Sequence, residues 1–242
     1  MTLQTLIDSW VTSDPSRTWK PPATEAEIRA VEEKIGYALP SSLRELYRFS
    51  NGDEILSHYV SLFSLNPNPP DDFIGLTAVN EKFNEWGWHI PQEVRLFAGE
   101  GGSDHYGIWL PETNSEIFNH PIIEVGTIFE PGCMGVVGTN LTSFLLGRTV
   151  WSLLFEIDDL EDSEEPNARD KLKQVQTALD MLQVPQRFRY FDPFGDDSER
   201  QFLQIIKWAD PLLPDSLLSD PFYSSYTQKF TVTDLKKLFG EP

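Results

Sequence analysis

The sequence predicts an α+β fold: N-terminal helices packed on a mostly antiparallel sheet of about 4–6 strands, followed by an α-helical C-terminal extension. Three observations predict it. Residues 21–52 spell two capped amphipathic helices. Residues 94–137 alternate short apolar runs with Gly-rich and Pro-rich breaks. Residues 167–209 carry two further helices with apolar side chains at steps of three and four. Helices first and a meander after them is the segregated order of an α+β chain.

The first pair is the clearest. Thr24 stands at an N-cap with Glu27 three residues on, a capping box in which each side chain satisfies the other's backbone N–H. Ile28, Val31 and Ile35 then share one face, and Gly36 sits where a left-handed C′ residue is wanted. The second helix opens near Leu39-Pro40-Ser41-Ser42, with Pro40 suited to a first turn. It points Leu43, Leu46 and Tyr47 inward and stops at Asn51-Gly52. Ahead of this pair, Leu3–Val11 places Leu3, Leu6, Ile7 and Trp10 at helical spacing, a short helix expected to pack on the other two. Ser13–Pro22 reads as a loop with Trp19 as its anchor.

Ile55–Leu65 is short and apolar, one or two strands, and Asn66–Asp72 (NPNPPDD) is a breaker. Leu76–Trp86 is expected to be a helix with Leu76, Val79, Asn80 and Phe83 on one face. Val94–Ala98 and His105–Leu110 form a hairpin around Gly99–Ser103, whose glycines tolerate positive φ. Pro111–Asn119 is a loop, Pro121–Val125 and Thr127–Glu130 are strands, and Val136-Val137 is another. Asn140 or Thr142 caps a helix through Leu146, with continuation to Phe155 left open.

Glu156–Glu165 holds seven acidic residues in ten and reads as a solvated linker. The organisation that follows is an α+β domain over 1–155, an acidic linker over 156–166 and a helical extension over 167–242. In the extension Leu172, Val175, Leu179 and Leu182 line one helix, and Phe202, Ile205, Ile206 and Ala209 line a second over Ser198–Ala209. Phe188–Asp197 is an aromatic loop, and Asp210–Pro221 is irregular. Thr233 is expected to cap a last helix carrying Leu235, Leu238 and Phe239. So small a unit buries too little surface alone, so docking on the first domain is expected.

Composition narrows the function classes. With 242 residues, 40% of them hydrophobic, a real core is affordable, and a single cysteine, Cys133, excludes a disulfide within the chain. No basic n-region with an apolar run opens the sequence, and no stretch of about 18 apolar residues occurs. A cytoplasmic chain that neither enters nor crosses a membrane is therefore expected. The net charge of −19 argues against nucleic acid as a ligand and favours a basic partner, although acidity also serves solubility. Between Phe49 and Gly147 the basic side chains are Lys82 and Arg95, against thirteen Asp and Glu. Such a middle is what an acidic binding face would look like.

No catalytic motif stands out. His58, His89, His105 and His120 lie in no H-E-x-x-H context, and Cys133 sits in Pro131-Gly132-Cys133-Met134-Gly135, a turn entering a strand. No G-x-S-x-G elbow, P-loop, dinucleotide fingerprint or EF-hand order occurs. No catalytic residue, metal or cofactor is expected. Asp104, after the glycines, either satisfies the N–H groups of its own turn or meets a partner. Trp86, Trp88 and Tyr106 are either core aromatics or interface hot spots.

Three pieces of the chain carry a family resemblance. They are T-E-x-E-I with L-P-x-x-L-R-x-L-Y and Asn51-Gly52, then VRLFAGEGGSDHYGIWL over Val94–Leu110, then NLTSFLL over Asn140–Leu146. Together, over roughly Trp10–Gly147, they resemble the SUKH superfamily of bacterial toxin-immunity proteins and a fungal cell-wall-synthesis regulator. Asp104 matches the family's Asp after the glycines, with Ser103 in place of the third glycine. The resemblance implies a non-enzymatic module that binds a cognate protein toxin; the acidic middle suits a nuclease or another toxin with a basic site, and the charge argues against nucleic acid. Its partner-binding candidates are Glu81, Glu85, Trp86, Trp88, Glu100, Asp104 and Tyr106. The alternative is a regulatory scaffold of the fungal type, and the remote one an enzyme with an unrecognised site.

Overall fold

A computed structural model describes residues 1–52, 54–56, 60–66, 75–82, 90–91, 93–100, 104–110, 120–126, 133–190, 195, 197–214 and 230–239. The helices are α1 (Leu3–Ser13), α2 (Glu25–Ile35), α3 (Ser41–Phe49), α4 (Leu76–Lys82), α5 (Leu141–Glu161), α6 (Ala168–Met181), α7 (Ser198–Ala209) and α8 (Val232–Phe239). The strands are β1 (Glu54–Leu56), β2 (Val60–Leu62), β3 (Val94–Gly99), β4 (His105–Trp109), β5 (Ile122–Val125) and β6 (Gly135–Gly138). The class is α+β with C-terminal helices, as the sequence predicts. The chain divides into two units: Lys20–Leu141 with Leu213–Pro242, and Met1–Trp19 with Thr142–Leu212.

The sheet unit starts from the capping box. Glu27 N–H donates to Thr24 Oγ1 at 3.2 Å, and Thr24 N–H donates to Glu27 Oε2 at 2.7 Å. Gly36 ends α2 in the left-handed region at φ 77°. One contact that periodicity does not reveal fixes the link to α3. Glu32 accepts the Leu39 N–H at 2.8 Å and faces Arg44 Nη2 at 3.3 Å. Helix α3 buries Leu43, Leu46 and Tyr47, and the Tyr47 hydroxyl donates to Phe63 O at 2.8 Å. The Asn-Gly stop is a clasp rather than a mere end. Asn51 N–H donates to Pro21 O at 3.1 Å, and its side-chain oxygen accepts the Leu65 N–H at 2.8 Å. Gly52, at φ 80°, lets the chain pass against Ser64.

All six strands pair with their sequence neighbours, in the order β1-β2-β3-β4-β5-β6, and every pairing is antiparallel. Short antiparallel steps let each strand find its partner locally, which a meander requires. Tyr106, Gly107, Ile108 and Trp109 of β4 are all buried, as are all four residues of β5, so both faces there are covered. The expected strand Thr127–Glu130, and residues Phe83–Trp86 of the expected helix, lie outside the described residues.

The last helix belongs to this unit rather than to a single extension over 167–242. Met134 and Phe230 exchange two backbone hydrogen bonds, at 3.0 and 2.9 Å. Leu235 is fully buried, and Lys236 Nζ reaches the carboxylate of the buried Glu93 at 3.2 Å. The cap of α8 is Thr231, not Thr233. Its hydroxyl accepts the Asp234 N–H at 3.3 Å while Asp234 Oδ2 takes the Thr231 N–H at 3.0 Å. The T-x-x-D spacing of Thr231 and Asp234 carries that signal in the sequence.

The second unit is helical. Helix α1 packs against α6 and belongs to this unit, whereas α2 and α3, its expected partners from sequence proximity, belong to the sheet unit. Trp10 Nε1 donates to Thr149 Oγ1 of α5 at 2.9 Å in the interior, and Trp151 stands edge-on to Phe202 of α7 at 4.5 Å. Helix α5 runs on through Glu161, so the first part of the expected linker is helical. The reason is that Trp151, Leu153 and Leu154 are buried and hold the helix, while Asp159 and Glu161 project from its solvent side. The rest of the acidic run is tied down where Glu165 meets Lys171 Nζ at 2.9 Å.

Glu156 of α5 gives a measurable consequence. Burial first, then Asp14 and Asp159, push its carboxyl above the ordinary value, and Lys171 opposes this. Below the ordinary glutamate pKa the group is protonated in folded and unfolded chains alike, so it costs nothing. Above the raised folded value the charged form destabilises the native state. Glu156→Gln is therefore expected to raise stability at pH 7 and to lose that effect at pH 3, well below the ordinary glutamate value. Urea unfolding at the two pH values checks it.

Candidate functional site

Two places in the sheet unit collect the polar residues that the sequence analysis singles out. The first is a cleft of about 250 Å³ where the end of α2, helix α4 and the start of β3 meet. Ile35, Ile90, Pro91, Val94 and Leu96 supply its apolar lining. Lys34, Thr77, Asn80, Glu81 and Arg95 supply its polar lining.

The cleft exists because β2 is short. It pairs with β3 at Ala98 and Gly99, leaving the start of β3 without a strand neighbour on that side. Asn80 takes the place of that neighbour. Its amide Nδ2 donates to Leu96 O at 2.9 Å, and its Oδ1 accepts the Leu96 N–H at 2.9 Å. The same Nδ2 donates to Leu76 O at 2.8 Å, which fixes the side chain to its own helix. Asparagine is the residue for this because it offers a donor and an acceptor side by side, like a peptide group. Asn80→Ala is expected to lose about 2–3 kcal/mol, because two buried strand groups are left unpaired, and Asn80→Asp at least as much. Thermal unfolding measures both.

The charges of the cleft come in a set. Glu81 is 60% exposed and faces Lys34 Nζ at 3.7 Å, a long surface pair of little energetic weight. Arg95 is half-buried. Its guanidinium lies over the Tyr37 ring at 5.1 Å, and its Nη1 donates to Val94 O at 3.2 Å. The Tyr37 hydroxyl is pushed well above its ordinary pKa, by burial first, with Arg95 opposing, so the ring stays neutral under the cation.

The second place is the β3–β4 turn. Glu100 N–H donates to Asp104 O at 3.0 Å, closing the hairpin, and the Tyr106 hydroxyl donates to Glu100 Oε2 at 2.9 Å. The Asp104 carboxylate lies directly over Gly126, in the space that any side chain there would need. Glu100, Asp104 and Tyr106 are thus brought together, while Glu81 stands apart on α4. Tyr106 is fully buried, so its ring serves the sheet and offers no surface for a partner. Glu85, Trp86 and Trp88 lie outside the described residues.

Among the described residues, the acids of the middle stretch differ in exposure. Glu93 and Glu124 are buried, Glu100 and Asp104 are half-buried, and Glu81 is exposed. Counting acids along the chain cannot separate inward from outward positions. Arg95 and Asn80 are cleft residues outside the partner-binding candidates of the sequence. Arg95 was visible as one of two cations in an acidic span, and Asn80 as a polar residue on an apolar helix face.

Of the histidines, His105 stacks near Phe63 at 5.8 Å, and burial lowers the pKa of His120. His58 and His89 lie outside the described residues. Among the described residues no group of His, Cys, Asp and Glu is arranged to hold a metal ion, and no helix is long and apolar enough to cross a membrane.

Comparison with known families gives a match over residues 22–147 to the SMI1 / KNR4 family (SUKH-1). No curated protein matches the chain. The resemblance drawn from short motifs began near Trp10, whereas the match begins at Pro22. That start falls close to Lys20, where the sheet unit begins, because α1 belongs with the other unit.

Proposed function

This chain belongs to the SMI1 / KNR4 family (SUKH-1), and from that premise we propose that it is a non-enzymatic immunity protein that captures a cognate protein toxin. The family supports a module of the toxin-immunity or cell-wall-regulator type. The observation that carries the proposal is that the family match spans the sheet unit from Pro22 to Leu141, cleft and hairpin turn included. The net charge of −19 supports a toxin with a basic active site or substrate groove, a nuclease among them. Opposite charge speeds the encounter, and a few buried contacts then set the residence time. The protein does this in the cytoplasm, by occupying the toxin rather than altering it.

Stoichiometry tests the proposal. A toxin-domain gene is expected beside the gene of this chain, and its product is the probe, assayed for its own activity while the chain is titrated in. Inhibition is expected to be complete near one chain per toxin. Protection by far fewer chains would mean that the chain acts catalytically, and no protection at any ratio would overturn the immunity role.

A further inference from the structure

The family match ends at residue 147, yet the chain returns to the sheet unit well beyond it, where α8 docks. Three kinds of contact dock it among the described residues. Met134, at the start of β6, and Phe230 exchange two backbone hydrogen bonds in a single antiparallel bridge rather than a ladder. Leu235 is fully buried, while Leu238 of the same helix stays 44% exposed. Lys236 Nζ reaches Glu93 Oε1 at 3.2 Å, and the Glu93 side chain is only 9% exposed.

Together these contacts have the form of a recognition site with its occupant in place. The bridge takes an extended residue. The pocket takes one apolar side chain of the helix that follows. The buried Glu93 carboxylate takes a cation on the next residue. This is an amphipathic helix laid on a surface by one anchor. Eight residues are too few to hold a helix alone in water, so α8 is helical because it is docked. One anchor, one bridge and one ion pair also place α8 among the parts that open locally, well short of global unfolding.

Charge selects the occupant that can come from outside. A chain of net charge −19 repels a second copy of itself and draws in a basic segment. Helix α8 already carries that chemistry, with Leu235 as anchor and Lys236 and Lys237 in its last turn.

We infer that the surface under α8 is a docking site for a basic amphipathic helix of a protein partner, and that α8 holds this site as an intramolecular competitor until such a helix displaces it. The inference rests on the reading that the partner is a protein and adds the surface and the chemistry of its contact. In the exchange the partner's apolar anchor takes the place of Leu235, and its Lys or Arg takes the place of Lys236 on Glu93. A helix without that cation would draw Lys236 away from a buried carboxylate and return nothing to it. The site thereby rejects neutral and acidic helices.

The test uses the full chain in two forms, native and Leu235→Asp, the second of which puts a charge into the pocket and lifts α8. The probe is a blocked peptide with the sequence of Phe230–Phe239, followed through the amide nuclear magnetic resonance signals of Glu93, Leu110 and Met134. The native chain masks the site with its own helix, so the peptide should bind the Leu235→Asp chain at least about tenfold more tightly than the native one. The same peptide with Lys236→Glu should bind the opened chain at least about tenfold more weakly. If Leu235→Asp prevents folding, Lys236→Glu in the chain opens the site from a position that is 37% exposed and serves in its place. The toxin should associate about tenfold faster with the opened chain than with the native one. No binding of the peptide to an opened chain, equal binding to opened and native chains, or a native dimer formed by exchange of α8 overturns the inference. If the toxin is captured by both forms at the same rate, the docking assignment falls and the immunity role stands. If the peptide binds as expected while neither form captures the toxin, the immunity role alone falls.

Discussion

Alanine in place of Gly52 is expected to destabilise the protein by about 3–5 kcal/mol. Two costs add. Gly52 has φ 80°, and a residue with a Cβ in that region pays roughly 1–2 kcal/mol. The added Cβ would also lie 2.6 Å from Ser64 Cα and 2.9 Å from Ser64 N. Those are backbone atoms and cannot turn aside, so the segment after β2 must move, at a typical cost of about 1–3 kcal/mol. Moving it strains the Asn51 bond to Leu65 and the Tyr47 bond to Phe63, which hold α3 to the sheet. Gly36 is the built-in control. It has φ 77° but nothing within 4 Å of its would-be Cβ. Gly36→Ala should therefore cost only about 1–2 kcal/mol, and the difference between the two variants in urea unfolding isolates the packing term.

Gly126→Ala is expected to cost about 2–3 kcal/mol, and here the reason is a side chain. The new Cβ would fall on the Asp104 carboxylate and within 2.9 Å of Asp104 Cγ. Asp104 Oδ1 is buried, so the carboxylate cannot be displaced without opening the turn that Glu100 N–H and Asp104 O close. The double variant Asp104→Ala with Gly126→Ala should recover about 1–2 kcal/mol of the sum of the single losses, measured as a double-mutant cycle. A coupling of that size assigns Asp104 to the turn. Strict additivity would leave its carboxylate free to serve a partner instead.

How much of this was legible in the sequence depends on how local each feature is. The capping box of Thr24 and Glu27, the left-handed Gly36 and the span Ser198–Ala209 rest on residues within a turn of one another, and all stand in the structure as read. The partner of α1 was not legible, because Trp10 and Thr149 are 139 positions apart. Proximity in sequence suggested α2 and α3 instead. The acidic run misled because a helix tolerates acids on its outer side once its inner side is held, as Trp151, Leu153 and Leu154 hold α5. Tyr106 was chosen for an interface because tyrosine is common there. Its place on a strand covered on both faces became visible only with the sheet. Asn80 shows the limit most plainly: its place on the α4 face was read correctly, but its role needs Leu96, a residue of a strand that α4 does not adjoin in sequence.

The most direct measurement of function is the stopped-flow association of the purified chain with the toxin domain expected from a neighbouring gene, at low and at high salt. A tight complex is expected whose association slows about tenfold or more as salt rises, with dissociation little changed. A complex whose association ignores salt would contradict the electrostatic part, and no complex at either salt would contradict the immunity role itself.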